Sequence, residues 1–394
     1  LREIHAMSDL PLRPPFPSMG STRPLVPPIV QTSVFAIPDL DALDRIMSGE
    51  EPGYIYTRDA HPNARMLAAQ IAQLEGAPWG IITSSGMAAI SAIVLATVQQ
   101  GQRIVASNRL YGRTVQLFQQ ELSRFGVGVD FVDCNDLHAV EKSLAAGGRM
   151  LFVETMSNPL LRVADLGRLA ELSHRYGSLF VVDNTFATPT LVRPIELGAD
   201  FVMESLTKIL AGHGDVTLGA VVGKNADMLA PLQSASSIFG FASNPFDCWL
   251  AERGLATLEL RLKAACANAL ALAEWLPSQA GVSAVHYPGL PQHPDHSIAR
   301  ELLQGGFGHM LCFELSGGRD AVNRFMRQAK GIPFSPSLGD VATTLSHPAT
   351  TSHRYVSAEE RQRQGIGDGL IRLSVGVEGI ESLKAEFVRG LQST

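Results

Sequence analysis

The sequence is poor in features that mark several protein classes. Its four cysteines, Cys134, Cys248, Cys266 and Cys312, lie far apart and form no CxxC pair. That spacing argues against a disulfide scaffold or a cysteine metal site and fits reduced thiols in a cytoplasmic protein. Long apolar runs are also missing. The longest, Met87 to Ala96, is interrupted by Ser91 and is too short to cross a bilayer. Charged residues make up only 18%, the net charge is −6, and there is no basic block. A nucleic-acid surface is therefore not expected. The proline-rich N-terminus lacks the basic-then-apolar order of a secretory signal. His213, His347 and His353 fit no metal-site spacing, so ordinary hydrogen bonding is expected of them and no metal. There is no internal repeat and no low-complexity tract.

What is present is ordinary globular composition. The hydrophobic content of 45% over 394 residues is enough for a large core and two domains. Residues 1–50 form an expected N-terminal arm, proline-rich over the first 30 and extended. It reads as a loose tail or as a strap over a neighbouring subunit. Residues 51–245 are the expected large domain and 246–394 the C-terminal domain. Asp39 is placed to cap a short helix to Met47. Tyr54, Tyr56 and Arg58 then sit on a loop between Gly53 and Pro62, and an Arg among aromatics there suits an anionic group as well as plain packing.

From Trp79 onward strands and helices alternate, which predicts a mostly parallel sheet with helical crossovers. Ser84, Ser85, Gly86 and Met87 stand where the first strand turns into a helix. Free N–H groups and the helix dipole favour an anion there, though a simple cap uses the same residues. The stretch Ser178 to Gly214 organises the rest. Two short β-rich runs, Leu179–Val182 and Phe201–Met203, deliver Asp183 and Lys208 just beyond their carboxyl ends, where α/β sheets bind ligands. Ser205 and Thr207 flank the amine. An acid, an amine and hydroxyls at one crevice suit pyridoxal phosphate. A strand-end cap and a solvated lysine use the same residue types, and this stretch alone leaves both readings open. After Ala242 a long helical run follows, with a break near Gly254. Beyond it lies an α+β unit in which Ile371, Leu373, Val375 and Val377 alternate with Arg372, Ser374 and Gly376. Arg372 thus faces away from the apolar side, towards solvent or a cleft.

Taken together, the motifs YTR (56–58), SSGMAA (84–89), LYGRT (110–114), ETMSNPLL (154–161), VVDNTFATP (181–189), SLTK (205–208), GHGD (212–215), RGLATL (253–258), SLGD (337–340), HPATTSH (347–353) and IRLSVG (371–376) resemble the trans-sulfuration enzymes of cysteine and methionine metabolism. The resemblance runs from about Pro27 to the end. It implies a fold-type I PLP-dependent transferase of the aspartate aminotransferase-like kind. The expected build is a seven-stranded-type sheet, a smaller α+β C-terminal domain, and a homotetramer made of two dimers. By the same resemblance, Lys208 is the amine that links to the cofactor, Asp183 the acid on the pyridine nitrogen and Tyr111 the stacked ring and proton carrier. Gly86, Met87, Ser205 and Thr207 form the phosphate cradle. Tyr56 and Arg58 reach a neighbour's phosphate site. Asn158, Ser337 and Arg372 surround the substrate carboxylate.

Three positions depart from common members of the family. Arg113 stands where many have Gly or Cys, Glu204 where His is common, and Pro336 where several cystathionine enzymes carry Glu. Arg113 is a candidate grip on a distal substrate carboxylate. The expected activity is making or breaking the C–S or C–O bond at the γ-carbon of homocysteine- or homoserine-derived amino acids, as in cystathionine γ-lyase, cystathionine γ-synthase or methionine γ-lyase. The alternative is an O-acetyl- or O-succinylhomoserine sulfhydrylase. An aminotransferase and a non-catalytic PLP-binding protein are the remote readings. The expected partners are a small-molecule sulfur amino acid or acyl-homoserine, with no nucleic acid and no membrane.

Overall fold

A computed structural model describes residues 21–354 and 356–392. Residues 1–20 of the expected arm lie outside the described residues. The strands of the large sheet are β1 (Trp79–Thr83), β2 (Arg103–Ser107), β3 (Gly128–Val132), β4 (Gly148–Glu154), β5 (Leu179–Asp183), β6 (Phe201–Glu204) and β7 (Gly219–Gly223). They lie in the order β1-β7-β6-β5-β4-β2-β3. The pairs from β6 through β3 are parallel, and β7 runs antiparallel to both of its neighbours. Parallel strands covered on both faces read as continuous apolar runs. Val181 and Met203 accordingly point into one core layer, Val182 and Val202 into the other. The second sheet consists of β8 (Val282–His286), β9 (Met310–Leu315), β10 (Thr344–Ser346) and β11 (Leu370–Ser374), in the order β10-β11-β9-β8 and antiparallel throughout. One face of it packs on the helices Leu258–Trp275, Gly318–Gln328 and Ile380–Leu391 through Phe313, Phe325 and Phe387.

Local chemistry explains most element boundaries. Asp39 Oδ1 accepts the Ala42 N–H at 2.7 Å and starts the helix Leu40–Ser48, which Gly49 ends in a left-handed turn. The long helical run divides into Pro245–Leu255 and Leu258–Trp275. Gly254 touches the backbone there: a Cβ would come within 2.2 Å of the Ala211 carbonyl. One expected helix, from about Val115 to Phe125, is instead three pieces: α-helical Gly112–Gln116, a π turn Leu117–Glu121 and a 3₁₀ turn Leu122–Phe125. Gly112 is pinned against the Ser352 carbonyl, while Phe118 and Leu122 are pinned in the core. The π turn takes up the mismatch between those two anchors. Strands β8 and β10 and the helix Leu229–Ile238 carry no strong sequence signal of their own; tertiary pairing creates them.

Residues 27–30 follow the chain's own surface. Trp249 Nε1 donates to the Pro27 carbonyl at 3.0 Å, and Asn63 bonds Pro28 O and the Val30 N–H, each at 3.0 Å. Leu25, Val26, Ile29 and Val34 remain exposed.

Candidate active site

A cavity of about 580 Å³ opens above the carboxyl ends of β4, β5 and β6 and beneath the second sheet. Asp183 closes β5 and Lys208 follows β6 by four residues, so both sequence candidates line it. The loop carrying Lys208 is held from behind by Arg261. Its guanidinium donates to the carbonyls of Ile209 (2.7 Å), Leu210 (3.0 Å) and Gly254 (2.8 Å). Gly339 presses on the same loop with φ +81°; a Cβ there would lie 2.2 Å from the Ile209 nitrogen. Lys208 Nζ donates to Ser337 Oγ at 3.1 Å. Burial, and next the Arg372 charge, pull the Lys208 amine down to about 8.

The floor is acidic. Asp183 accepts the Thr185 N–H at 3.0 Å on Oδ1, yet burial pushes its carboxyl up to about 6. Glu154, which sequence reasoning did not single out, lies beside it. Its Oε1 accepts the Tyr111 N–H at 2.5 Å and its Oε2 the Asn158 N–H at 3.3 Å. Burial and then the Asp183 charge push Glu154 well above the usual carboxylate range. Glu154 therefore positions two site residues at once. Its sequence signals, the end of a strand and the first place of ETMSNPLL (154–161), gave it no role.

At one end of the cavity lies a phosphate-sized cradle. Ser85 Oγ caps the helix Gly86–Thr97 by accepting the Ala88 N–H at 3.1 Å. The N–H groups of Gly86 and Met87 precede the first possible intrahelical acceptor and are free for an anion. A Cβ on Gly86 would lie 3.0 Å from Ser205 Cβ, so glycine keeps that wall open. Ser205 and Thr207 complete it. At the other end Arg372, 4% exposed, donates to Asn158 Oδ1 at 2.8 Å and to the Ser337 carbonyl at 3.2 Å, while its buried Nε has no partner. The expected alternation holds as far as Val375, whereas the strand ends at Ser374 and Val377 is exposed. Ile371, Leu373 and Val375 face the second core, and Arg372 turns towards the cavity.

The chain belongs to the Cys/Met metabolism PLP-dependent enzyme family. The model of that family matches residues 17–392. An O-succinylhomoserine sulfhydrylase of Pseudomonas aeruginosa is 43% identical over 344 residues, covering 87% of this chain and 85% of that protein. An L-methionine gamma-lyase of Pseudomonas putida is 39% identical over 372 residues, covering 94% and 93%. Among solved structures, a cystathionine gamma synthase of Xanthomonas oryzae pv. oryzae in complex with cystathionine superposes with a TM-score of 0.89 at 38% identity, covering 93% and 92%. The fold is that of the PLP-dependent trans-sulfuration enzymes, the cofactor is pyridoxal phosphate, and the chemistry is that of a C–S lyase or γ-replacement enzyme.

The cavity fits that cofactor, with an acid at one end, an amine beside it and an open glycine wall at a helix N-terminus. Tyr111, 40% exposed, lines the same cavity, as do Asn158 and Arg113. Arg113 Nη1 donates to Gln116 Oε1 at 2.7 Å. Arg354, unmentioned by any motif, also lines the wall and borders a second, arginine-rich cavity with Arg319 and Arg361. Tyr56 and Arg58 are not brought to this cavity within one chain. Both are substantially exposed, and Arg58 lies over the Tyr56 ring at 5.1 Å. The three histidines are used in local bonds. His347 bonds Thr350 Oγ1 and the Asp368 carbonyl, each at 2.9 Å, His213 the Ala211 carbonyl at 2.7 Å, and His353 Ser352 Oγ at 2.9 Å. Among the described residues no helix is long and apolar enough to cross a membrane.

Proposed function

We propose that the chain is a γ-replacement enzyme. It takes a homoserine ester whose leaving group carries a carboxylate and exchanges that group for a thiol or sulfide. The observation that carries this reading is the pair of guanidinium groups, Arg113 and Arg354, on the cavity wall, in addition to Arg372. A second substrate carboxylate finds a partner there; the thiomethyl group of methionine has none to offer. The likeness to an O-succinylhomoserine sulfhydrylase supports it. Elimination, as in the methionine gamma-lyases that the chain also resembles, is the second reading, and SLGD and HPATTSH are compatible with methionine γ-lyases and sulfhydrylases alike.

The roles follow from position. When bound, pyridoxal phosphate supplies an electron sink for the bond-breaking steps. Lys208 would hold it and, freed when the substrate amine takes its place, would carry protons from Cα and then Cβ so that the γ-group can leave, and return them to Cβ and Cα once the thiol has added at Cγ. Its lowered basicity leaves a useful neutral fraction at neutral pH. Asp183 holds a proton on the ring nitrogen; a cation there offsets the burial that now raises its carboxyl. Gly86, Met87, Ser205 and Thr207 bind the phosphate. Tyr111, on the cavity wall, would pack against the bound ring and carry protons near the leaving group. Arg372, aligned by Asn158 and Ser337, orients the substrate α-carboxylate. Tyr56 and Arg58 act on a neighbour's phosphate site, in a homotetramer built from dimers. Their exposure and that of Leu25, Val26 and Ile29 support a covering subunit. A cytoplasmic location fits the four unpaired cysteines. The three-part division at residues 50 and 245 belongs to the same reading.

The deciding experiment is a product screen on the purified, cofactor-loaded protein. O-succinylhomoserine, O-acetylhomoserine, cystathionine and methionine are each supplied with and without sulfide or cysteine. Homocysteine, cystathionine, ammonia and α-keto acid are measured. Replacement product from the succinyl ester, exceeding ammonia release, is expected. Preferential release of ammonia and keto acid from methionine sinks the replacement reading.

A further inference from the structure

Behind the cofactor site lie two carboxyls that the reaction does not use. Glu75 ends the helix Pro62–Glu75 and Glu204 ends β6. They are 0% and 1% exposed, and the two carboxyls lie against each other. A carboxylate can only accept hydrogen bonds. With both groups ionised, Glu75 Oε2 and both oxygens of Glu204 are buried without a partner. Such a cost is borne only where a donor is supplied, and one proton between the two carboxyls gives a partner to Glu75 Oε2 and to one oxygen of Glu204.

The surroundings agree. Asn184 Nδ2 donates to Glu75 Oε1 at 3.0 Å. Arg193 faces Glu75 but is tied to Glu196 at 3.1 Å, and Glu196 adds negative charge of its own. Asp183 adds negative charge on the Glu204 side. Burial, first among the causes, pushes Glu75 up to about 7 and Glu204 well above the ordinary carboxylate range.

We propose that Glu75 and Glu204 share a proton in a carboxyl–carboxylate hydrogen bond, and that this pair is a positioning element for Asp183. The connection to Asp183 runs along two routes. Asn184, bonded to Glu75, follows Asp183 directly. It also donates to the Val192 carbonyl at 3.1 Å and accepts from Thr155 Oγ1 at 2.8 Å, and the Thr155 N–H donates to the Asp183 carbonyl at 3.0 Å. On the other side Ser205 follows Glu204. Its N–H donates to Thr185 Oγ1 at 2.9 Å, and the Thr185 N–H holds Asp183 Oδ1. Removing the shared proton leaves two like charges in a dry site between these routes. The strand ends that carry Asp183 and Ser205 then separate.

The sign of the pH dependence follows. The folded pair holds its proton more tightly than two unfolded glutamates do. Its stabilising effect is complete below the unfolded value, about 4.3, and is lost as pH rises through about 7. Glu204→Gln supplies an amide donor to Glu75 without a proton, so it keeps the bond and removes the titration.

The test uses the full chain, with and without pyridoxal phosphate. Melting temperature and cofactor affinity are followed from about pH 5.5 to about pH 8.5. The wild type is expected to lose both across neutrality. Glu204→Gln and Glu75→Gln should each flatten the loss, whereas Glu204→Ala should be less stable at every pH. Infrared difference spectra of wild type minus Glu204→Gln near pH 6 should show one protonated carboxyl, the contributions of Asp183 and Glu154 cancelling. No such band, or an unchanged pH slope in Glu204→Gln, overturns the shared proton. A flattened melting curve with cofactor affinity as pH-dependent as in the wild type overturns the positioning of Asp183. None of these readouts depends on which substrate the enzyme takes.

Discussion

At the scale of single residues, charge and burial set the chemistry. Lys208 sits beside Arg372 in a dry cavity, and its amine is neutral above about 8. The rate at which cofactor-free protein takes up pyridoxal phosphate should rise with pH up to that value and then level off. Arg372→Met removes one of the two causes of the shift and should move the midpoint of that rate profile upward; an unmoved midpoint refutes the coupling. Lys208→Ala should lose both turnover and the visible absorbance of the anchored cofactor. At the wall, a charge-assisted bond contributes on the order of 1.5–3 kcal/mol. Arg354→Ala and Arg113→Ala should therefore each lower kcat/KM about 10- to 100-fold for O-succinylhomoserine. Methionine and O-acetylhomoserine should be nearly unaffected, and equal losses on both classes remove these arginines from substrate selection.

At the scale of elements, the loop after β6 is kept in place from two sides. Arg261 bonds three carbonyls on one side, and Gly339 presses against Ile209 on the other. Gly339→Ala meets both a left-handed backbone and a direct clash, so it should destabilise by more than about 1 kcal/mol. It should also weaken cofactor binding, because the displaced segment carries Lys208. Calorimetry with and without cofactor checks this. A variant with normal melting and normal binding shows that the loop has slack. The helix Gly86–Thr97 shows a similar economy: its cap uses Ser85 and leaves the next two N–H groups for phosphate.

At the scale of the whole molecule, the cavity within one chain holds Lys208, Asp183 and Arg372 but neither Tyr56 nor Arg58. If those two complete a neighbour's site, inactive Arg58→Ala and Lys208→Ala subunits should restore activity when mixed, since one site in a mixed dimer is intact. Continued inactivity after mass spectrometry has shown subunit exchange means that each site is complete within its own chain.

The α/β class, the positions of most strands and the acid and amine beyond the strand ends were legible in the residue pattern. Those features depend on local periodicity: residues 179–182 and 201–203 are apolar because both faces of the sheet are covered. The alternation around Arg372 was legible for the same reason. Tertiary structure alone decided the rest. Glu154 became a positioning group because Tyr111 and Asn158, 43 and 4 residues away, bring their N–H groups to it. Arg354 sits on a loop whose residue pattern has no period, and only chain folding puts it on the cavity wall. Glu75 and Glu204 are 129 residues apart in sequence. Nothing in either segment announces a shared proton, because the need for one arises only when packing removes water from both carboxyls together.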